Sequence, residues 1–346
     1  MTSAGIAVGP SMPTNDGWQR VGPLVEVSDV LRDFGVDPAE VLTEAGLAAD
    51  VLDDSGNTIT FLSLGRLLAC CVKATRCLHF GLLVGQRARP DHFGLIGNLM
   101  ENAPTLGAAI MDLANNQHRY VRGSVIEVLF RIDECIVCYS VYQSNVQAID
   151  QIIDTAVCAG FRILTAISDV APQKILLPQR KPVAPLVYRE AFGLKPHFNS
   201  GIAALVYSRD LLQTPLPRAD ASLRRRLEAT VAKYWAIEQP DFTSQVARVL
   251  RAKILSGHAD KKAVAKALSV NPRVLSRRLL AAGTSLRALT SQARVEIACH
   301  LLSSTSMTVT EIAKTLHYAD VTGLIRAFTK ATGKSPTDWK KSLSDR

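Results

Sequence analysis

Apolar residues recur along this chain at two different periods, and the switch between them divides it. Up to about residue 120 the spacing is three or four. Leu64, Leu67, Leu68 and Cys71 predict a helix over 60–76. Leu31 and Phe34, followed by the turn Gly35-Val36-Asp37-Pro38, predict a helix over 39–45. Similar stripes predict helices over 80–87, 93–100 and 105–120. The period then falls to two. Residues 125–132 and 135–142 read as strands, and Asp133-Glu134 between them makes a hairpin. A long helix follows over 148–167. Strands at 174–177 and 203–208 are split by a Pro-rich stretch over 178–185 and a short helix near 188–192. Residues 21–215 therefore predict an α+β domain. Residues 1–20, rich in Gly, Ser, Pro and Thr, are expected to be disordered.

The last quarter returns to the helical period. Val264, Leu268, Leu275 and Leu279 form a core stripe, interrupted by the turn Ser269-Val270-Asn271-Pro272. Arg273, Arg277 and Arg278 crowd the second of the two helices. That is the layout of a helix-turn-helix whose second helix can enter a DNA major groove. The phrase recurs about 48 residues later. Ala265-Lys266 matches Ala313-Lys314 and Leu268 matches Leu316. Between the copies Leu286, Leu289, Ala293, Ile297 and Leu301 predict one long amphipathic helix. Gly283 suits the position after the first recognition helix, and Ser285 can cap the next. Thr308 with Glu311 spells a capping box. Gly333 ends a further helix, and Ser335-Pro336 starts the last. A helix over 243–256, with Val246, Val249, Leu250 and Ile254, opens this region. Residues 216–242 read as a linker whose helix carries Arg224-Arg225-Arg226. That run is expected to be a solvated face, with phosphate contact as the alternative.

Two helix-turn-helix units joined by one long helix closely resemble the DNA-binding domain of the AraC/XylS transcription regulators. The resemblance covers about 100 residues. The family closes on Arg-x-Phe-Lys-x-x-x-Gly-x-Ser-Pro-x-x-Tyr. Here Arg326, Phe328, Gly333, Ser335 and Pro336 are kept. Thr329 with Lys330 beside it stands for the lysine, and Trp339 for the tyrosine. The turn glycine usual before Tyr318 is His317. More loosely, Asn102-Ala103-Pro104-Thr105-Leu106-Gly107, Phe198-Asn199 and residues 211–220 resemble the N-terminal, arabinose-binding-like sensory domain of one subgroup. That subgroup resembles regulators of ornithine use, acid response and virulence.

The resemblance implies an α+β sensory domain over 21–215, a linker over 216–242 and an all-α DNA-binding domain over 243–346. It implies duplex DNA and RNA polymerase as partners and, for the first domain, a small-molecule effector, homodimerisation, or both. With Leu275 and Leu279 facing the core, Arg273, Ser276 and Arg277 point outward, and the family's base-contacting positions carry over onto these three. In the second unit Leu324 and Phe328 face inward and Val321, Thr322, Ile325 and Arg326 outward. Lys262, Arg278, Lys330 and Lys334 are candidate phosphate contacts. Arg277 and Arg326 have a plainer alternative, bracing the fold or holding phosphate. The implied function is an effector-responsive activator of an adjacent metabolic or virulence operon. The competing reading is an effector-independent architectural DNA-binding protein or a repressor. The effector and its pocket residues are not placed by the sequence.

Charge sharpens this division. The chain carries a net +9, yet residues 243–346 hold 18 Lys and Arg against 6 Asp and Glu. Residues 1–242 hold 22 against 25. The positive charge belongs to the region that would meet phosphate. Seven irregularly spaced cysteines fit reduced thiols and a cytoplasmic location. Cys135 and Cys138, three apart on a strand, should face opposite sides, and no second pair completes a metal site. No run of 18 apolar residues suggests a membrane span. Nucleophile elbow, phosphate loop, dinucleotide turn and zinc-helix motifs are all missing, which argues against an enzyme or a cofactor. Asp150 and Asp154, four apart on one helix, are read as exposed charges rather than an acid/base pair. His118 beside Arg119 and Tyr120 is read as a helix-end residue.

Overall fold

The computed structural model describes residues 17–344 except 118–119, 142, 144, 238–241, 256, 258, 269 and 305–306. His118 and residues 1–16 thus lie outside the described residues. The chain orders itself before residue 21, contrary to expectation. Trp18–Arg20 form strand β1, which pairs antiparallel with β2 (Thr58–Thr60) and with β3 (Val121–Arg122). So short a strand has no readable period, and its register partners, such as Ile59 and Val121 for Gln19, lie far along the chain. Around this sheet pack α1 (Val27–Asp33), α2 (Pro38–Glu44) and α3 (Phe61–Thr75). Asp37 caps α2 through the Ala39 amide, and Thr60 caps α3 through the Ser63 amide. The predicted stripe Leu64, Leu67, Leu68 and Cys71 is fully buried there.

α4 (Phe80–Gln86), α5 (Gly94–Glu101) and α6 (Leu106–Asn116) lead into a second sheet. Its strands are β4 (Ser124–Phe130), β5 (Glu134–Val141), β6 (Lys174–Leu176) and β7 (Ala203–Ser208), all antiparallel in the order β4-β5-β7-β6. The hairpin closes where the Arg131 amide donates to Glu134 at 2.8 Å. The helices α7 (Ile149–Ser168) and α8 (Pro185–Phe192) join them. Cys135 and Val137 point into the main core, Ile136 and Cys138 to the other face, as the strand period requires. Burial pushes the Cys138 thiol up to about 12. The described cysteines form no disulfide, and no metal-binding group occurs among the described residues.

α7 is long and apolar enough to cross a membrane, but most of its length is buried inside this domain. Its partner α4 approaches closely because Gly81 and Gly85 lack side chains. A Cβ at Gly81 would lie 2.2 Å from the Gln151 carbonyl oxygen. Gln151 instead accepts from the Gly81 amide at 2.9 Å. Asp154 corrects the expectation of an exposed charge. It is fully buried in α7, accepting from the Tyr188 hydroxyl at 2.5 Å and the Gln179 amide at 2.6 Å. Asp150 is exposed as expected.

The stretch expected to be a linker is partly docked. Leu216 is buried in the main core, and α9 (Ala221–Ile237) buries Val231 there too. Nor is Arg224 a solvated charge. It donates to both carboxylate oxygens of Asp112, at 2.8 and 3.2 Å, and to the Leu99 carbonyl at 3.1 Å. Arg225 and Arg226 remain exposed. Seven further helices form the all-α part: α10 (Phe242–Leu255), α11 (Lys261–Ala267), α12 (Pro272–Ala281), α13 (Leu286–Ser304), α14 (Val309–Thr315), α15 (Val321–Thr332) and α16 (Pro336–Ser344). They share one core that includes Val246, Leu250, Val264, Leu275, Ile312 and Phe328.

Candidate nucleic-acid interface

The first helix-turn-helix is α11 and α12. Asp260 accepts from the Lys262 and Ala263 amides and starts α11. Asn271 accepts from the Arg273 amide, with Pro272 at the first helical position, and starts α12. Gly283, at φ 71°, ends it in the left-handed region. Val264, Leu275 and Leu279 are buried, and Leu268 is half-buried. The opposite face of α12 is exposed and carries Arg273, Ser276 and Arg277 together. Among the described residues, nothing pairs with the Arg273 or Arg277 guanidinium. Arg278 is also exposed, and its guanidinium lies over the Phe242 ring at 5.1 Å, which fixes where that charge stands. Leu280 is 77% exposed at the end of α12. Sequence reasoning passed over it, although its place one step beyond the Leu275/Leu279 stripe is the signal that would have found it.

The second unit is α14 and α15. Thr308 and Glu311 make the expected reciprocal capping box. Asp320 accepts from the Gly323 amide and starts α15. Leu324 and Phe328 are buried, and Phe328 meets Trp339 edge-on at 5.7 Å. Thr322, Ile325 and Arg326 are exposed. Val321 departs from the outward placement: it is half-buried against the core. Positions 321, 324 and 328 fall on one helical stripe, so Val321 shares the face of the two core residues. His317 takes the left-handed conformation, φ 54°, that a glycine would adopt freely, and its ring sits against Gly257.

α13 joins the units. Its 19 residues at ~1.5 Å each span roughly 28 Å. That is near the roughly 34 Å turn of DNA over which two recognition helices meet successive major grooves. Arg251 and Glu296 pair at 2.7 Å and tie α10 to α13, while Arg294 lies over the Tyr318 ring at 5.0 Å and ties α13 to the second turn. Lys262, Lys330 and Lys334 are exposed.

The first domain holds a cavity of about 150 Å³ between its two hydrophobic clusters. Leu64 and Leu68 of α3, Ile96 and Met100 of α5, and Leu113 of α6 supply part of its wall. These residues come from distant segments, each with an ordinary core spacing, so no sequence signal marked them as a site.

Residues 35–216 match the family described as the arabinose-binding domain of AraC transcription regulator, N-term, and residues 264–342 match a helix-turn-helix domain. An ornithine utilization regulator of Pseudomonas aeruginosa is 24% identical over 323 residues, covering 91% of this chain and 94% of that protein. An uncharacterized HTH-type transcriptional regulator of Mycobacterium tuberculosis is 26% identical over 336 residues, covering 90% of this chain and 93% of that protein. The crystal structure of the transcriptional regulator CdpR from Pseudomonas aeruginosa aligns with a TM-score of 0.45 at 19% identity, over 91% of this chain and 96% of that one.

Proposed function

Since this chain belongs to the AraC family of transcription regulators and is a DNA-binding regulator, we propose that the first recognition helix supplies most of its sequence specificity. The observation that carries this is the exposed trio Arg273, Ser276 and Arg277 opposite buried Leu275 and Leu279. An unpaired arginine there can donate twice to guanine O6 and N7. The second helix offers Ile325, which can touch only a thymine methyl, beside Thr322 and Arg326. Lys262, Arg278, Lys330 and Lys334 hold phosphates and fix register.

The first domain, over 21–215, binds a small effector, and 216–242 passes the signal to 243–346. The chain acts in the cytoplasm by binding rather than catalysis. It works as a homodimer that activates an adjacent operon through RNA polymerase. The apolar cavity and the clamp of Arg224 on α5 and α6, two helices that line it, support this over an architectural role.

Selection of sites from random duplex DNA tests the assignment. The half under the first unit should show the stronger consensus. Arg277→Ala should cost ~1–3 kcal/mol and relax one base position, while Ile325→Ala changes little. An equal or stronger consensus under the second unit would refute it.

A further inference from the structure

The cavity of the first domain restricts what can occupy it. Its walls are apolar side chains, and among the described residues that line it there is no Asp or Glu. Two of its polar members are already spent. The Gln117 amide donates to the Ile126 carbonyl at 2.9 Å and accepts from the Ile126 amide. The Thr155 hydroxyl donates towards the Gly81 and Gln151 carbonyls. Ser124 is buried, and its hydroxyl has no partner. Arg20 is the one cation among the described lining residues; it is exposed, so it stands where the cavity meets solvent. Its guanidinium lies over the Tyr120 ring at 5.3 Å, with one N–H donated to the Gly56 carbonyl at 3.3 Å. Its backbone amide donates to Tyr120 at 2.7 Å, which fixes β1 at this edge.

Each occupant meets a different account of its polar groups. A sugar would bury several hydroxyls against groups that offer few partners, and every unpaired one opposes binding. A diamino acid would bring ammonium groups to a lining without a carboxylate. An apolar body satisfies the walls, and a single anionic end satisfies Arg20, whose fork matches a carboxylate. A dry cavity of this size holds about one aromatic ring.

The geometry points to a small apolar carboxylic acid as the effector, its ring or short acyl chain in the cavity and its carboxylate on Arg20. Ser124 is left to meet one polar substituent of the buried body. This rests on the reading that the first domain takes an effector, and deepens it by naming the class.

Calorimetric titration of the full chain tests it, using benzoate and hexanoate, their neutral counterparts benzamide and hexanamide, L-arabinose and ornithine. The acids should bind at least tenfold more tightly than the amides. Arg20→Gln should erase that preference while the amides bind as before, which also reports that the cavity still folds. Equal affinity of acids and amides overturns the proposal, as does a preference that survives Arg20→Gln. Binding of arabinose or ornithine in place of the acids overturns it too, yet leaves the effector reading standing. No binding by any of the six overturns the class. The effector reading is then judged separately, by whether other metabolites shift DNA affinity.

Discussion

Asp154 is a carboxyl held far from the water a carboxylate prefers. Burial raises its carboxyl from 3.8 to about 7, partly opposed by the Tyr188 hydrogen bond. Because the folded value lies above the ordinary one, this group's contribution is fully present below about pH 3.8 and is lost as pH rises through about 7. Asp154→Asn removes the charge and keeps an acceptor for Tyr188. Its new amide can meet the Gln179 side-chain oxygen, which is buried without a partner. The variant's stability should therefore gain on wild type as pH rises from about 4 to about 7, by ~1.4 kcal/mol per pH unit, and level off above that. A difference that does not vary with pH would contradict the assignment. The sequence could not have shown this, because Gln179 and Tyr188 approach from a loop and a helix well beyond α7. Val321 is the opposite case: its spacing to Leu324 and Phe328 was readable and pointed inward. Arg273, Ser276 and Arg277 were placed outward by the same periodicity, and the structure exposes all three.

Among elements, those with their own caps and stripes were legible. α14 was announced by Thr308 and Glu311, α12 by Asn271-Pro272 and Gly283, and the β4–β5 hairpin by its alternation. Elements fixed by distant partners were not. β1 exists because β2 and β3 flank it, and α9 was misread because Asp112 and Leu99 lie over 100 residues from Arg224. That contact is the natural route for the proposed coupling between effector and DNA. Arg224 grips α5 and α6, which also wall the cavity, and α9 directly precedes the DNA-binding helices in the chain. Burial pushes the Asp112 carboxyl up while Arg224 draws it down. Arg224→Ala should weaken coupling, so that a saturating effector changes DNA affinity at least fivefold less than in wild type, with effector affinity nearly kept. DNA affinity measured with and without effector reads this directly; unaltered coupling would place the route elsewhere.

At the scale of the whole molecule, two halves carry different chemistry. The first buries an apolar cavity in an α+β scaffold and has a slight negative balance. The second concentrates a balance of +12 on seven helices. Composition showed this asymmetry before any fold was known. The cavity, assembled from segments between residues 19 and 205, was beyond its reach. Positive charge alone does not make a DNA-binding face; that requires cations that meet phosphates in register with two recognition helices. The most direct test is the salt dependence of full-length binding to a selected duplex. With Lys262, Arg278, Lys330 and Lys334 on phosphate, the logarithm of affinity should fall linearly with the logarithm of salt, and replacing all four by Gln should reduce the slope by about 3 to 4. A slope near zero, or one that the four substitutions leave unchanged, would contradict the account.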